Sequence, residues 1–158
     1  MTQEEFRKVC SRFATGVAVL TVSDATGSPH GLTVNSFASV SATPPLVLVC
    51  VDNGCSLLPL FEGSPRFGLS FLEQSQQEIS RRFAVVPEQR FNGVDWHLSA
   101  SGGVPVIDGA LGWMECRVVE RISAGDHRVL LGEVVGGGSG AGGQPLVYFG
   151  SGYRQLLC

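Results

Sequence analysis

Two stretches of short hydrogen-bonding side chains carry the chemistry this sequence could do. From Leu32 to Ser41 the chain alternates: Leu32, Val34, Ala38 and Val40 fall on one parity, and Thr33, Asn35, Ser39 and Ser41 on the other. Successive strand residues face opposite ways, so one face would join a core while the other presents hydroxyls and an amide. Ser36 and Phe37 break the two parities, which predicts a bend or bulge there. The second stretch, Cys50-Val51-Asp52-Asn53-Gly54-Cys55-Ser56, ends an apolar run with a turn signal and a candidate helix cap at Ser56. Two such strand ends side by side would make a cradle of small donors around a ligand; the same hydroxyls are equally ordinary on a solvent-facing strand. Ser80, Arg81 and Arg82 cluster in a helical segment, where a pair of arginines commonly forms a solvated face. His127, in Gly125-Asp126-His127, reads on its own as a structural strand histidine. His30 and His97 sit in loop contexts and carry no functional signal.

The elements that must position these residues follow from periodicity. Residues 2–14 read as a helix, with Thr2 as cap, Glu4 and Glu5 in the first turn, and Phe6, Val9, Cys10 and Phe13 on one face. Val17 to Val22 is a strand, and the turn chemistry from Asp24 to Pro29 makes a hairpin with the strand beginning at Gly31. Pro44 and Pro45 stop that strand. Leu46 to Val51, a continuous apolar run, predicts a strand buried on both faces. A short helix spans 57–62, and Arg66 to Leu72 is a strand. Ser75-Gln76-Gln77-Glu78 reads as a capping box opening the helix that carries Ile79 and Phe83, and Pro87 closes it. Residues 85–103 read as a long loop anchored by Phe91 and Trp96, either a lid or a contact with a partner subunit. Leu111 to Ser123 and His127 to Val135 form a long hairpin through Ala124-Gly125-Asp126, and Pro145 to Phe149 is a last strand. Six or so short strands without βαβ alternation indicate an antiparallel barrel or sandwich.

Composition bounds the rest. The 158 residues form one domain, 1–158, with apolar residues at 44 % and charged residues at 16 %, a balance that favours a compact fold over disorder. A net charge of −3 argues against a broad nucleic-acid surface. No apolar run approaches the roughly 20 residues that span a bilayer, and the amphipathic start lacks a signal-peptide core, so a cytoplasmic protein with no membrane partner is expected. The five cysteines form no CxxC pair and read as reduced thiols, with no metal site. Low charge and many short apolar segments fit a dimer. Gly138, Gly140 and Gly143 satisfy GxGxxG, but Pro145 and an apolar strand follow where a dinucleotide fingerprint needs a helix. Residues 136–143 therefore read as a flexible hairpin loop.

One ordered set of residues points further. Phe13-Ala14-Thr15-Gly16-Val17 is followed by Thr33-Val34-Asn35-Ser36-Phe37, Pro44-Pro45-Leu46-Val47, Ser80-Arg81-Arg82-Phe83-Ala84, Gly125-Asp126-His127, Tyr148-Phe149 and Tyr153. This set resembles the short-chain flavin reductases, the reductase components of two-component flavin-dependent monooxygenases, over nearly the whole chain. The resemblance implies a mainly β, antiparallel Greek-key split β-barrel with a few short flanking helices, assembled as a homodimer. It implies FMN or FAD as the flavin, NADH or NADPH as hydride donor, and a monooxygenase or halogenase receiving the reduced flavin. A flavin-binding module without turnover, or a flavin-retaining oxidase or oxygenase acting on an organic substrate, are the alternatives. Carried over by residue, Thr33, Val34, Asn35 and Ser36, with Ser39 nearby, would border the flavin ring. Cys50, Val51, Asp52, Asn53, Cys55 and Ser56 would hold its ribityl and phosphate end. Ser80, Arg81, Arg82, Phe83 and Ala84 would complete the phosphate side. Gly125, Asp126 and His127 would face the nicotinamide, with His127 as the catalytic residue, and Tyr153 would flank the same pocket. Such a site needs no side-chain nucleophile, because the flavin performs the redox step.

Overall fold

The computed structural model describes residues 1–86 and 88–156. Pro87, expected to close the third helix, and Cys158 lie outside that range. The first helix, α1 (Gln3–Cys10), opens on a reciprocal cap: Glu5 N donates to Thr2 Oγ1 at 3.1 Å, and Thr2 N donates to the Glu5 carboxylate at 2.6 Å. It ends at Cys10, short of the expected residue 14, because Arg12 and Phe13 donate to carbonyls three residues back and tighten the chain into turns. No residue of α1 is buried; Phe6, Val9 and, just beyond it, Phe13 are 57 %, 62 % and 76 % exposed.

The main sheet has seven strands: β2 (Ala18–Ser23), β3 (Pro29–Val34), β4 (Ala38–Ala42), β5 (Pro45–Asp52), β6 (Arg66–Phe71), β9 (Gly112–Ala124) and β10 (His127–Ser139). They lie in the order β3-β2-β6-β9-β10-β5-β4, every pair antiparallel. Strands β3 and β4 are therefore opposite edges, yet only residues 35–37 join them. Four Cα steps reach about 14 Å, whereas six inter-strand gaps laid flat would span about 29 Å. The sheet must curl until its edges meet, and Ser36 fastens the closure: its hydroxyl takes the Cys50 N–H at 2.9 Å and lies 3.2 Å from the Cys50 carbonyl. The expected break at Ser36-Phe37 is this crossing.

The curl encloses a core of Leu20, Val22, Val34, Val47, Val49, Val51, Phe61, Phe67, Leu69 and Leu130. The opposite parity of β2, with Val19, joins a second cluster outside the curl, made with Val17, Leu72, Phe83, Ile107 and Leu146. Strand β5 behaves differently from its sequence. Val47, Val49 and Val51 are buried, but Leu46, Leu48 and Cys50 are only half-buried, so one face of the apolar run lies outside the core. In β4, Ala38 and Val40 are exposed, so the apolar parity of the opening stretch does not reach the core beyond Val34.

Several local expectations are corrected by hydrogen bonding. Helix α2 (Leu58–Gly63) has Leu57 at its cap position with no side-chain bond, and Ser56 does not cap it. The capping box of α3 (Gln77–Val85) begins earlier, at Glu73. Its carboxylate accepts from Ser75 N at 2.7 Å, and Gln76 returns a bond to Glu73 N, opening a 3-10 turn that runs into the helix. Gly136 to Ser139 continue β10 against Gly112–Glu115 of β9 and do not form a loop. A Cβ on Gly138 would lie 2.8 Å from the Trp113 ring nitrogen, so the glycines let a bulky neighbour cover a regular ladder. At Gly132, beside a register shift, a Cβ would meet the Phe67 ring at 2.6 Å. A three-stranded sheet of β1 (Thr15–Gly16), β11 (Val147–Phe149) and β12 (Gly152–Arg154) closes the chain, and β12 has no counterpart among the strands that periodicity predicts.

The segment expected to be a long loop is strapped down. β7 (Trp96–Leu98) pairs with β8 (Pro105–Ile107), and Phe91 stacks edge-on against both Phe83 and Trp96. Thr21 donates to the Pro105 carbonyl at 2.6 Å, and Ile107 N donates to Ser70 at 3.0 Å. Beneath the strap, Glu115 is 2 % exposed and accepts bonds from Arg66 and Ser101. Burial alone would push its carboxyl pKa up, but the bonds from Ser101, Ser99 and Arg66 hold it net below the ordinary value. Among the described residues no helix is long and apolar enough to cross a membrane, and no group of acidic, His or Cys side chains is placed to hold a metal. Cys10, Cys50, Cys55 and Cys116 are free thiols.

A carboxyl whose pKa is lowered on folding contributes stability above its unfolded pKa and loses it as pH falls through the folded one. Glu115→Ala should therefore destabilise the protein by roughly 3 kcal/mol at neutral pH. The acid-induced fall of the melting temperature should be shallower in Glu115→Gln than in the wild type. Parallel melting curves across pH 3–7 for the two proteins would contradict this role.

Candidate functional site

The crossing that closes the sheet also builds the site. Thr33, the penultimate residue of β3, turns its hydroxyl to the Ser80 carbonyl of α3 at 2.7 Å. Ser80 is fully buried, and its own hydroxyl meets the Tyr153 hydroxyl of β12 at 2.8 Å. Tyr153 stacks edge-on with Tyr148, and Arg81 lies over its ring at 5.7 Å. These contacts bring β3, α3 and the C-terminal ribbon around a cavity of about 240 Å³ lined by Val17, Thr33, Asn35, Ser80, Ala84 and the two tyrosines, among others. A second cavity of about 280 Å³ shares Val17, Val34 and Asn35 with the first and continues past Phe13, Phe37 and Leu146. Apolar walls, an amide and hydroxyls at one margin, and aromatic rings beside them suit a flat ligand with one polar edge.

The second stretch gathers elsewhere. Asp52 Oδ1 accepts from Gly54 N at 2.6 Å, and Asp52 stands opposite His127 in the β5–β10 ladder. Asn53 ties this turn to the β9–β10 hairpin: its N–H donates to the Asp126 carbonyl at 2.9 Å, and its side-chain amide to the Gly125 carbonyl at 3.3 Å. Gly125 holds a positive φ of 61°, which the turn requires. Asp126 Oδ1 lies 2.7 Å from His127 Nδ1, and this bond and the imidazole's charge lower the Asp126 carboxyl pKa. Where the ring is neutral, a carboxylate there favours the tautomer with its proton on Nδ1, which leaves Nε2 as an acceptor.

The candidate residues thus fall into two groups on either side of the Ser36–Cys50 link. Thr33, Val34, Asn35, Ser80, Ala84 and Tyr153 line the twin cavities; Asp52, Asn53, Gly125, Asp126 and His127 share the hairpin end, and His127 lines neither cavity. Ser36 and the Cys50 backbone are engaged with each other, and burial pushes the Cys50 thiol pKa up. Val51 and Phe83 point into the two cores. Cys55 packs on the inner core, while Ser39, Ser56 and Arg82 are exposed. Arg81 is paired with Glu78 at 2.7 Å. Periodicity assigns Val17 and Tyr148 no site role, and it assigns none to Arg90. That arginine bridges the Val86 and Gly31 carbonyls and so ties the end of α3 to β3. Nothing in its sequence setting marks that role.

Comparison with known proteins places this arrangement. Residues 10–157 match the model of the flavin reductase like domain. The chain belongs to this family. A probable flavin reductase of Rhizobium meliloti (strain 1021) is 41 % identical over 85 % of the chain, which spans 44 % of that protein's length. An actinorhodin polyketide dimerase of Streptomyces coelicolor is 40 % identical over 92 % of the chain and 82 % of its own. An NADH:FAD oxidoreductase of Streptomyces globisporus C-1027, solved with NAD and FAD fragments, superposes with a TM-score of 0.92 at 35 % identity, covering 98 % of this chain and 93 % of its own. The flavin reductase component of a bacterial two-component tryptophan halogenase superposes with a TM-score of 0.90 at 35 % identity, covering 98 % of each chain. Like these structures, the chain is mainly β with few short helices.

Because Ser36 closes the curl at the site's edge, Ser36→Ala should cost about 1–2 kcal/mol of stability and also loosen Asn35. The check is thermal melting together with flavin titration. Unchanged values in both would remove Ser36 from this role.

Proposed function

We propose that this chain is a flavin reductase that passes hydride from NADH or NADPH to FMN or FAD. The reduced flavin would then be released to a separate monooxygenase or halogenase. The observation that carries this reading is the twin cavity centred on Asn35, in a chain of the flavin reductase like family. The fit to a flavin is chemical: Val17 and Val34 offer apolar wall, Thr33, Asn35 and Ser80 lie at the polar margin, and Tyr148 and Tyr153 flank it. When bound, the flavin supplies the two-electron acceptor, and the protein's task is placement. In this reading Thr33 to Ser36 border the ring, residues 50–56 and 80–84 hold the ribityl and phosphate end, and His127 orients the nicotinamide through the Nε2 that Asp126 leaves as an acceptor.

The finer architecture belongs to the same proposal: the curled sheet is a split barrel, residues 1–158 are one domain, and the protein works as a cytoplasmic homodimer. The wholly unburied α1 supports the dimer, with Phe6, Val9 and Phe13 exposed. Val40 on β4 and Val119 and Ile122 on β9 add apolar surface that a second copy would cover. A second reading, a flavin-retaining enzyme acting on an organic substrate, is favoured by one finding: a 40 % identical relative is named a polyketide dimerase.

The deciding assay follows loss of nicotinamide absorbance in mixtures of protein, NADH or NADPH, and FMN or FAD. Turnover limited only by added flavin supports the reductase. A purified yellow protein inert toward added flavin supports the second reading. His127→Ala should raise the nicotinamide KM roughly tenfold, about the worth of one hydrogen bond, with flavin affinity nearly kept; equal losses in both would contradict its role. Asn35→Ala should chiefly weaken flavin binding, which fluorescence titration measures.

A further inference from the structure

The cavity of about 280 Å³ that continues past Phe37 and Leu146 contains an unmet polar group. Thr15 lines it, and the Thr15 hydroxyl oxygen is buried with no hydrogen-bond partner among the described residues. Buried polar side chains are nearly always bonded, and a hydroxyl left unmet costs stability. The residue itself is held in place, paired with Tyr148 in the β1–β11 ladder. The rest of the lining sets the chemistry of what could meet that hydroxyl. Asn35 is the one other polar side chain of this cavity, and no charged residue lines it. Phe37 and Phe71 stand edge to face with ring centroids 4.9 Å apart, and Leu72 and Leu146 add fully buried aliphatic wall. That wall is fixed through the backbone: Leu72 N donates to the Val17 carbonyl at 2.9 Å, and Leu146 N to the Leu72 carbonyl at 3.0 Å. The polar and aromatic residues that the flavin reading uses, Thr33, Asn35, Ser80, Tyr148 and Tyr153, all line the neighbouring 240 Å³ cavity, and of them Asn35 alone reaches this one.

We propose that this cavity is a second small-molecule site, separate from that of the flavin ring, for a neutral phenol-class arene: one or two fused rings bearing a single hydroxyl. The inference goes beyond the reductase reading and stands without it. A carboxylate or phosphate would enter with no cation to pair it, at a heavy desolvation cost. A flavin ring carries several carbonyls and nitrogens along one edge, more than one hydroxyl and one amide can satisfy. An arene with a single hydroxyl leaves nothing unmet. Its ring lies among Phe37, Phe71, Leu111 and Leu146, where aromatic side chains favour edge-to-face contact, and its hydroxyl bonds that of Thr15. A phenol stays neutral at physiological pH, since such a hydroxyl titrates near pH ~10. The size agrees: an apolar cavity of about 150 Å³ takes a benzene, so about 280 Å³ leaves room for a second ring.

The test is equilibrium dialysis of the full chain against 2-naphthol and against naphthalene, which has the same rings and no hydroxyl. 2-Naphthol should bind. Thr15→Val keeps the shape of the side chain and removes its oxygen; it should weaken 2-naphthol about tenfold, the worth of one hydrogen bond, and leave naphthalene unchanged. Thr15→Ser, which keeps the hydroxyl, should retain most of the 2-naphthol affinity. Melting of the unliganded proteins checks the premise. The wild-type hydroxyl has no partner to lose, so Thr15→Val should melt at or above the wild-type temperature. A lower melting temperature would show that the hydroxyl is already bonded and would overturn the proposal. So would no binding of 2-naphthol, or a Thr15→Val effect that is nil or equal for the two probes. A loss of FMN affinity in Thr15→Val that matches the loss for 2-naphthol gives the cavity to the flavin and overturns a separate site. Binding of 2-naphthol that depends on Thr15, in a protein that reduces no flavin, sinks the reductase reading and leaves this site standing.

Discussion

Val34 and Ala38 belong to opposite edges of a seven-stranded sheet, and three residues join them. That short tether forces the curl, and the curl sets most of the remaining architecture. It makes β2 a two-sided strand, with Leu20 and Val22 in the enclosed core and Val19 in the outer one. It also leaves residues 35–37 without a strand partner at the point where the edges meet. Backbone polar groups without a ladder need other partners. For Cys50, which lies beyond the part of β5 that β4 pairs, the Ser36 hydroxyl is that partner, and Asn35, one residue earlier, is exposed and lines both cavities. The candidate site is thus a consequence of how the sheet closes, and Asn35 sits where closure interrupts the ladder.

The outer core completes the arrangement. Phe83 anchors α3 against β2, and Phe91 and the strap hold it there. With the helix fixed, Ser80 on its next turn inward meets Thr33 on one side and Tyr153 on the other. The strap is fastened by Thr21, Ser70 and the Glu115 network, so it behaves as a brace for α3. Both ends of this segment are tied, Arg90 to Gly31 and Ser101 to Glu115.

Much of this was legible where a local rule decides. The Thr2–Glu5 cap, the hairpin turns around Asp24 and Gly125, and the break at Ser36-Phe37 follow from residue type and parity. The ordered motifs include residues of both groups, Thr33, Asn35 and Ser80 at the cavity and Gly125 to His127 at the hairpin end. What escaped depends on partners distant in sequence. Leu46 to Val51 is apolar throughout, but only one parity finds a core, because β5 lies next to the edge strand β4. Gly136 to Gly138 carry no strand propensity, yet β9 supplies their ladder and Trp113 needs the space they leave. Glu73 outcompeted Ser75 as a cap because its longer side chain reaches both the Ser75 N–H and hydroxyl. The bond between Ser80 and Tyr153 spans 73 positions, beyond any periodicity.

The separation of His127 from the cavities bears on how such a site would work. Hydride transfer needs two rings face to face, at an approach of about 3–3.5 Å. One partner lies against the protein; the other must arrive and leave on the open side. In the proposed reading, groups that would grip the first ring belong on the cavity wall, where Asn35 and Thr33 lie. A group that orients the second belongs on a projecting element beyond it, and the β9–β10 hairpin is such an element, steadied by Asn53 through two bonds to its turn. His127 lines neither cavity, and its Nδ1 is held by Asp126 Oδ1 at 2.7 Å. In a reaction whose reacting atoms both belong to bound rings, a fold contributes distance, orientation and the exclusion of water.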